Sequence, residues 1–270
     1  MFKKILVVES GKRTQNHRRA RYLLKNFLQN KNLNIRWILR SKINRRIFGK
    51  EDLVITLGGD GTFLLVSHFV NSPIIGINSD KKTSEGRLCS LSSSNIPRIK
   101  EIFYGNYIMD EKTRAEVVLN NHKLGILAIN EVYVGSKEQF HTSRYVLSFR
   151  GKSEEQRSSG VLISTGTGST AWYHSAGGKP FNAKNSELRF LVREPFFGKL
   201  FRPKILSGRI NKKNKLKITS KMIFGGIVAI DGLNYYPFGM NRTIEIHPSE
   251  KKLLIIRPLT KASLKPPSQP

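Results

Sequence analysis

Acidic residues are scarce in this chain. Nineteen Asp and Glu stand against 47 Lys and Arg in 270 residues, a formal net charge of +28. Such a field attracts polyanions: nucleic acid, anionic membrane or small phosphorylated ligands. The imbalance is sharpest at the start, where residues 1–50 hold fifteen Lys or Arg and the single acid Glu9. These basic residues interleave with core positions instead of forming a tail, which reads as a set of solvated faces. Cysteine is nearly absent too. With only Cys89, a disulfide framework and a cysteine-rich zinc site within one chain are excluded, as expected of a reducing, cytoplasmic setting. No apolar run approaches the ~20 residues of a membrane helix. What remains is a globular composition, 39% hydrophobic and 24% charged, long enough for one large domain or two small ones.

The first hundred residues alternate strands and helices. Lys4-Ile5-Leu6-Val7-Val8 reads as a strand, so no targeting segment is expected ahead of the fold. Within 13–29, Ala20, Leu23, Leu24, Phe27 and Leu28 recur at helical spacing. A strand at 33–39, a basic loop or short helix at 40–50, a strand at 53–57, a helix at 62–70 and a strand at 74–77 follow. A helix opens near Asn95-Ile96-Pro97 and closes at Gly105-Asn106. This alternation implies a parallel sheet with right-handed crossovers. From about residue 108 the texture changes to short strands separated by turn signals: 114–119, 124–134, 144–150, 160–164, 188–193, 215–219, 223–230 and 243–247. One helix interrupts them near 168–176. The expected architecture is therefore an α/β domain over 1–107, an all-β domain over 108–248, and a closing segment, 249–270, that returns to the first.

Two stretches carry chemistry. Leu57-Gly58-Gly59-Asp60-Gly61-Thr62 lies where a buried strand passes into a helix. Glycines there permit positive φ and close approach of a ligand to the backbone, and the helix start offers N–H groups to a phosphate. Ligands of parallel sheets bind beyond the carboxyl ends of strands, where Asp60 stands. A carboxylate beside phosphates is unfavourable unless it holds a metal or takes a proton; the plainer reading is a glycine turn with Asp60 as a helix cap. The second stretch, Ser164-Thr165-Gly166-Thr167-Gly168-Ser169-Thr170-Ala171-Trp172, repeats the pattern of strand, small-residue loop and helix start. Trp172 offers an aromatic face for a purine, or else belongs to the core. Asn130-Glu131 interrupts an apolar run at 126–134; a carboxylate there needs a partner, for which a ligand hydroxyl or a surface cation would serve. Glu9-Ser10-Gly11-Lys12-Arg13 is similar to the end of a P-loop but lacks its first glycine and its Ser or Thr, and is set aside.

Taken together, Gly58-Gly59-Asp60-Gly61-Thr62, Asn130-Glu131 and Ser164 to Trp172, in this order and spacing, resemble the NAD kinases. The resemblance implies an α/β domain followed by a β-sandwich with the active site between them. It also implies transfer of the γ-phosphoryl of ATP to the 2′-hydroxyl of the adenosine ribose of NAD, with a divalent metal, Mg²⁺, and a homodimer or homotetramer. Position by position, Asp60 becomes the general base, and Gly58, Gly59, Gly61 and Thr62 shape the phosphate turn. Asp60 and Gly61 also meet NAD. Asn130 binds the adenine end and Glu131 the nicotinamide ribose diol. Thr170, Ala171, Trp172 and Ser175 surround NAD, with Arg157 and Ser159 beside it; no metal ligand is assigned. Ser84-Glu85-Gly86-Arg87-Leu88-Cys89, Ser158-Ser159-Gly160 and Val192-Arg193-Glu194-Pro195 are similar to the mitochondrial-type branch. Common bacterial members carry an Asp where Ser159 stands and an aromatic near Ser90.

Two other readings share part of this evidence. Lipid kinases of the diacylglycerol and sphingosine type carry the same glycine turn, but the second motif argues for NAD and no membrane-docking segment is visible. A basic nucleic-acid-binding protein would show steep salt dependence, yet would leave Asp60 and Glu131 unexplained, since both repel phosphate. No specific nucleic-acid or membrane partner is expected.

Overall fold

The computed structural model describes residues 2–29 and 31–259. The chain divides into two compact units, one running to Glu111 and taking in the closing strand, the other covering Lys112–Lys252.

In the first unit the strands are β1 (Lys4–Glu9), β2 (Asn34–Leu39), β3 (Leu53–Gly58), β4 (Ile74–Asn78), β5 (Leu91–Ser92) and β6 (Tyr107–Lys112). The sheet order is β2-β1-β3-β4, then the closing strand Leu253–Pro258, then β6, with β5 also paired to β4. The β1–β2, β1–β3, β3–β4 and β4–β5 pairs are parallel, and the closing strand joins β4 in parallel through Ile255 and Ile74. Every residue of β3 and β4 is buried, which is why both read as unbroken apolar runs: such strands are covered on both faces. Helix α1 (Gln15–Gln29) lays Ala20, Leu24 and Leu28 into this core, with Leu23 and Phe27 packed at its margin. Helix α2 covers Asp60–Ser67, starting two residues and ending three residues earlier than its sequence suggests, with Gly59 as its N-cap. The helix expected from 95 begins as a 3₁₀ turn at Ile96–Arg98 before α3 (Ile99–Phe103). The basic segment 40–50 holds two short 3₁₀ turns, Arg40–Lys42 and Arg45–Ile47.

The second unit holds β7 (Ala115–Leu119), β8 (His122–Ala128), β9 (Glu131–Ser136), β10 (Ser143–Phe149), β11 (Lys152–Ser158), β12 (Val161–Ser164), β13 (Leu188–Val192), β14 (Ser207–Ile210), β15 (Leu216–Ser220), β16 (Gly226–Ile230), β17 (Asn234–Pro237) and β18 (Thr243–Pro248); the closing strand of the first unit is β19. Two six-stranded antiparallel sheets form a sandwich, ordered β11-β10-β15-β18-β7-β8 and β14-β13-β12-β9-β16-β17. Their inner faces share one core that includes Val117, Leu147, Ile218 and Ile246 from one sheet and Val132, Ile163, Phe190 and Val228 from the other. Asn120-Asn121 and Arg150-Gly151, all at positive φ, close two-residue hairpins, as their twist requires.

One expected strand is overturned. The run 124–134 is not a single strand with Asn130-Glu131 inside it. The chain leaves one sheet after Ala128 and enters the other at Glu131, so Asn130 stands at a corner between β8 and β9. Five further strands, β5, β6, β11, β14 and β17, are polar or short enough to escape an apolar pattern.

Candidate active site

In the first unit the glycine turn sits at the carboxyl end of β3. The glycines serve by their size: none of Gly58, Gly59 and Gly61 has a positive φ, contrary to the expectation from sequence. A Cβ on Gly58 would lie 2.5 Å from Thr62 Oγ1 and 3.0 Å from Ser10 Cβ. One on Gly59 would meet Ser84 Cβ at 2.6 Å. Gly61 is open; its Cβ position lies 3.5 Å from Arg40 Nη1, which brings a guanidinium to the turn that sequence reasoning passed over. Thr62 is buried and its N–H donates to Gly59 O at 3.0 Å.

Asp60 is not a cap. Its Oδ1 accepts from Leu88 N at 2.9 Å and its Oδ2 from Arg87 N at 3.1 Å, while Asp60 N donates to Ser84 Oγ at 3.3 Å. The carboxylate thus has partners that the sequence did not disclose: the backbone of a loop 24 to 28 residues on. Asn78 holds the same loop from the other side, donating Nδ2–H to Ser84 O at 2.8 Å. Gly86, at φ +69°, is pressed against the Asn78 side chain and would admit no Cβ. With two N–H groups on it and two oxygens, Asp60 keeps lone pairs for a further hydrogen bond. Nearby, burial first and the Asp60 charge second push the Cys89 thiol up to about 12, which leaves it unreactive at neutral pH.

In the second unit the donor-rich stretch is not one helix. A 3₁₀ turn covers Gly168–Thr170, Ala171 breaks it at φ −96°, ψ −129°, and a single helical turn, α4, covers Trp172–Ser175. The expected helix from 168 to 176, with its dipole, is therefore reduced to a few residues. Most of its hydroxyls are also spent on the loop itself. Ser169 Oγ–H donates toward Gly166 O at 2.8 Å and Phe181 O at 3.0 Å, and Thr165 Oγ1 takes Gly168 N–H at 3.1 Å while donating to Ile129 O. What the segment presents outward is Thr170, Ala171 and Ser175, all exposed.

Asn130 and Glu131 sit at the corner between the sheets, against this segment. Thr165 N donates to Asn130 O at 2.9 Å, and Gly168 fits so closely on the Asn130 backbone that a Cβ would overlap it. Asp231 closes the corner from the other side: Oδ2 accepts from Ile129 N at 2.8 Å, and Oδ1 from Asn130 N and Glu131 N, both at 2.9 Å. Glu131 Oε2 is buried with no hydrogen-bond partner in the described structure. Burial, reinforced by the Asp231 charge, pushes its carboxyl up to about 8. A buried acceptor without a donor is the mark of a group completed by a ligand.

Trp172 is half-buried. It stacks on Tyr133 with ring centroids 5.4 Å apart and planes at 29°, and the Arg193 guanidinium lies 5.1 Å from its centroid. Tyr133 Oη donates toward Ser159 O at 3.0 Å, so Ser159 and Trp172 share one platform. Arg157 turns its guanidinium over Phe201, 4.2 Å from the ring centroid. The structure thus joins Asn130 and Glu131 to the 164–175 segment, and Trp172 to Ser159. It adds Asp231 and Tyr133, which no motif had singled out, and sets Arg193 of the Val192–Pro195 motif over Trp172. Among the described residues no cluster of three His, Cys, Asp or Glu could hold a metal.

The ATP-NAD kinase N-terminal domain family matches residues 4–91 and the ATP-NAD kinase C-terminal domain family residues 129–258. The chain belongs to the ATP-NAD kinase family. Among curated relatives, a probable NADH kinase of Oryza sativa subsp. japonica is 32% identical over 203 residues, which is 66% of this chain and 62% of the rice protein's own length. An NAD kinase of Pseudomonas fluorescens (strain Pf0-1) is 28% identical over 232 residues, 80% of this chain and 74% of that one. Among solved structures, an NAD kinase from Archaeoglobus fulgidus in complex with ATP superposes with a TM-score of 0.71 at 22% identity, covering 93% of this chain and 92% of that one. Yeast NADH kinase complexed with NADH gives 0.77 at 16% identity, covering 97% and 85%; at such identities these two speak to the fold. NAD kinases and NADH kinases from plant, bacterium, archaeon and yeast all appear, so the comparisons show membership in the family and do not single out a branch. The lipid-kinase and nucleic-acid readings find no support in these comparisons. No helix among the described residues is long and apolar enough to cross a membrane.

Proposed function

We propose that this chain is an ATP-dependent NAD kinase that transfers the γ-phosphoryl of ATP to the 2′-hydroxyl of the adenosine ribose of NAD, giving NADP. The observation that carries the reading is the glycine turn with its engaged but unsaturated carboxylate, found in the same chain as a Glu131 whose Oε2 is buried without a hydrogen-bond partner. In this reading Gly58, Gly59, Gly61 and Thr62 cradle the donor phosphates at the start of α2. Asp60 takes the ribose proton. Asn130 binds the adenine end and Glu131 the nicotinamide ribose diol. Thr170, Ala171, Trp172 and Ser175 border the nucleotide, with Arg157 and Ser159 beside it. A divalent ion, Mg²⁺, fits a site without a three-residue cage, because Mg²⁺ is commonly held by substrate phosphates and one or two carboxylates. Asp60 is the carboxylate available to it, and the ion would neutralise charge on the phosphoryl group. The enzyme works in the cytoplasm as a homodimer or homotetramer. The decisive test is a coupled assay of the purified chain with NAD, ATP and Mg²⁺, reading NADP, with diacylglycerol as competing acceptor; phosphorylation of the lipid alone would overturn the reading.

Glu131 gives this reading a pH signature. Its carboxyl, held near 8 by burial and then by Asp231, is largely protonated at neutral pH before NAD arrives. Ribose hydroxyls donating to it stabilise the ionised form. NAD binding is therefore expected to release a proton below pH 8, and KM for NAD to fall as pH rises from 6 to 9. Glu131→Gln should abolish that pH dependence and raise KM for NAD roughly tenfold, in line with ~1–3 kcal/mol for a lost hydrogen bond to a charged group. KM for ATP should stay within about twofold. Calorimetry in buffers of different ionisation enthalpy reads the proton directly. A shift in the ATP constant instead would make Glu131 a donor-side group.

Trp172 has two duties to separate. Loss of an aromatic–base stack is worth ~1–3 kcal/mol, so Trp172→Ala should raise KM for NAD by about 5- to 100-fold, with a smaller change in kcat. It also removes the ring packed on Tyr133 and under Arg193, so Tm should drop. Trp172→Phe should restore most of both. A folded Trp172→Ala variant with an unchanged KM for NAD would leave the ring a core residue only.

A further inference from the structure

The corner that presents Asn130 and Glu131 lies between two sheets, with Glu131 paired opposite Ser164 at its edge. β8 and β9 lie in different sheets, so Ile129, Asn130 and Glu131 turn their N–H groups out of both ladders. Three consecutive peptide donors without acceptors would be strongly unfavourable in a buried place. One side chain answers all three. Asp231 lies about a hundred residues away in sequence, is 5% exposed, and begins the turn after β16 at φ +51°. Its two oxygens take the three N–H groups at 2.8 to 2.9 Å, and its own N–H returns a bond to Glu131 O at 2.9 Å. On the far side, Thr165 takes up the carbonyls of Ile129 and Asn130.

A carboxylate in this place has a cost. It places a negative charge beside Glu131, the group least able to tolerate one, since burial already disfavours its ionised form. An amide could serve the corner only in part, however. Asn has one acceptor oxygen, and its NH₂ would be turned against a peptide N–H. Serving three donors in a fixed fan needs two acceptor atoms in one plane.

We propose that Asp231 is a positioning residue for NAD, fixing the Ile129–Glu131 backbone so that the Asn130 and Glu131 side chains meet the nucleotide in a set geometry. This rests on the assignment of Asn130 and Glu131 to NAD made above. Asp231 need not touch NAD; it acts through the corner. Its removal should therefore be felt in NAD recognition and not in the ATP constant, and should depend on whether Glu131 is there to be positioned.

The experiment is a double-mutant cycle in the full chain, with KM for NAD and for ATP read from NADP formation and folding read by circular dichroism. Asp231→Asn is expected to fold, to raise KM for NAD about tenfold or more, and to leave KM for ATP within about twofold. In a Glu131→Gln background the same substitution should raise KM for NAD by less than about threefold. Asp231→Ser, which retains one hydroxyl acceptor, gives the same reading if Asn is not tolerated. Equal fold-changes in both backgrounds, an unchanged KM for NAD in a folded variant, or failure of both variants to fold would each overturn the proposal, the last by making Asp231 a scaffold residue only. A parent chain that makes no NADP sinks the functional reading before any variant is made. A parent that makes NADP while Asp231→Asn leaves KM for NAD unmoved sinks this inference alone.

Discussion

Asp60→Asn is expected to lower kcat by roughly 10²–10⁴-fold, the usual contribution of a positioned general base, or about 3–5 kcal/mol of barrier. A ribose hydroxyl is a weak nucleophile until its proton is accepted, and phosphoryl transfer otherwise asks only for positioning and charge neutralisation. The structure adds a consequence that an isosteric change would not suggest. Asp60 receives Arg87 N–H on one oxygen and Leu88 N–H on the other. Asn can serve only one of them and turns its NH₂ toward the second. The loop from Ser84 to Leu88 should loosen, with a drop in Tm of a few degrees for ~1 kcal/mol. ATP binding should survive, since a negative charge near the phosphates is gone. The two effects separate by measurement: Tm and ATP titration report the loop, and single-turnover NADP formation reports the base. A folded Asp60→Asn chain that makes NADP near the parent rate would remove Asp60 from the chemistry and leave it as the residue that ties down the 84–88 loop.

The hydrogen bonds of Asp60 show where sequence reasoning reached and where it stopped. Its place at the carboxyl end of a parallel strand was legible, because β3 is an unbroken apolar run and the glycines mark its end. So was the face of α1 that Ala20, Leu24 and Leu28 bury, because helical periodicity is local. Partners distant in sequence were not legible. Nothing near Asp60 announces Arg87 N–H, and nothing near Asn130 announces Asp231. The corner at 130 was missed for a related reason: apolar residues resume on both sides of Asn130-Glu131, since both strands bury a face in the same core, and hydrophobicity does not record a change of sheet. β11 escaped because its sequence, Lys152 to Ser158, is polar and buries only Gln156 and Ser158. Motif order pointed to the family from local pattern, while the contacts that hold the motif residues in place are long-range.

Glycines test this distinction most sharply, and Gly168→Ala is expected to be the most damaging small substitution in the second unit. Gly168 has no positive φ, so conformational freedom does not explain it. Space does: an added Cβ would overlap the carbonyl carbon, the oxygen and the Cα of Asn130. Backbone atoms cannot rotate aside as a side-chain end can. To admit one methyl, the corner at Ile129–Glu131 must separate from the 164–170 segment. That strains the Thr165 N–H bond to Asn130 O and the Asp231 fan together. Overpacking of this kind typically costs ~1–3 kcal/mol of stability, and both strained elements carry proposed NAD contacts. KM for NAD should rise tenfold or more while KM for ATP holds within about twofold. Two controls isolate the cause. Gly177→Ala, at φ +89° with nothing within 4 Å of its Cβ position, tests backbone strain without a clash and should cost about 1 kcal/mol. Gly61→Ala, whose Cβ position meets only Arg40 Nη1 at 3.5 Å, should keep its Tm. If Gly168→Ala matched Gly61→Ala in Tm and the parent in KM for NAD, the close approach of these two backbones would not be what positions Asn130 and Glu131.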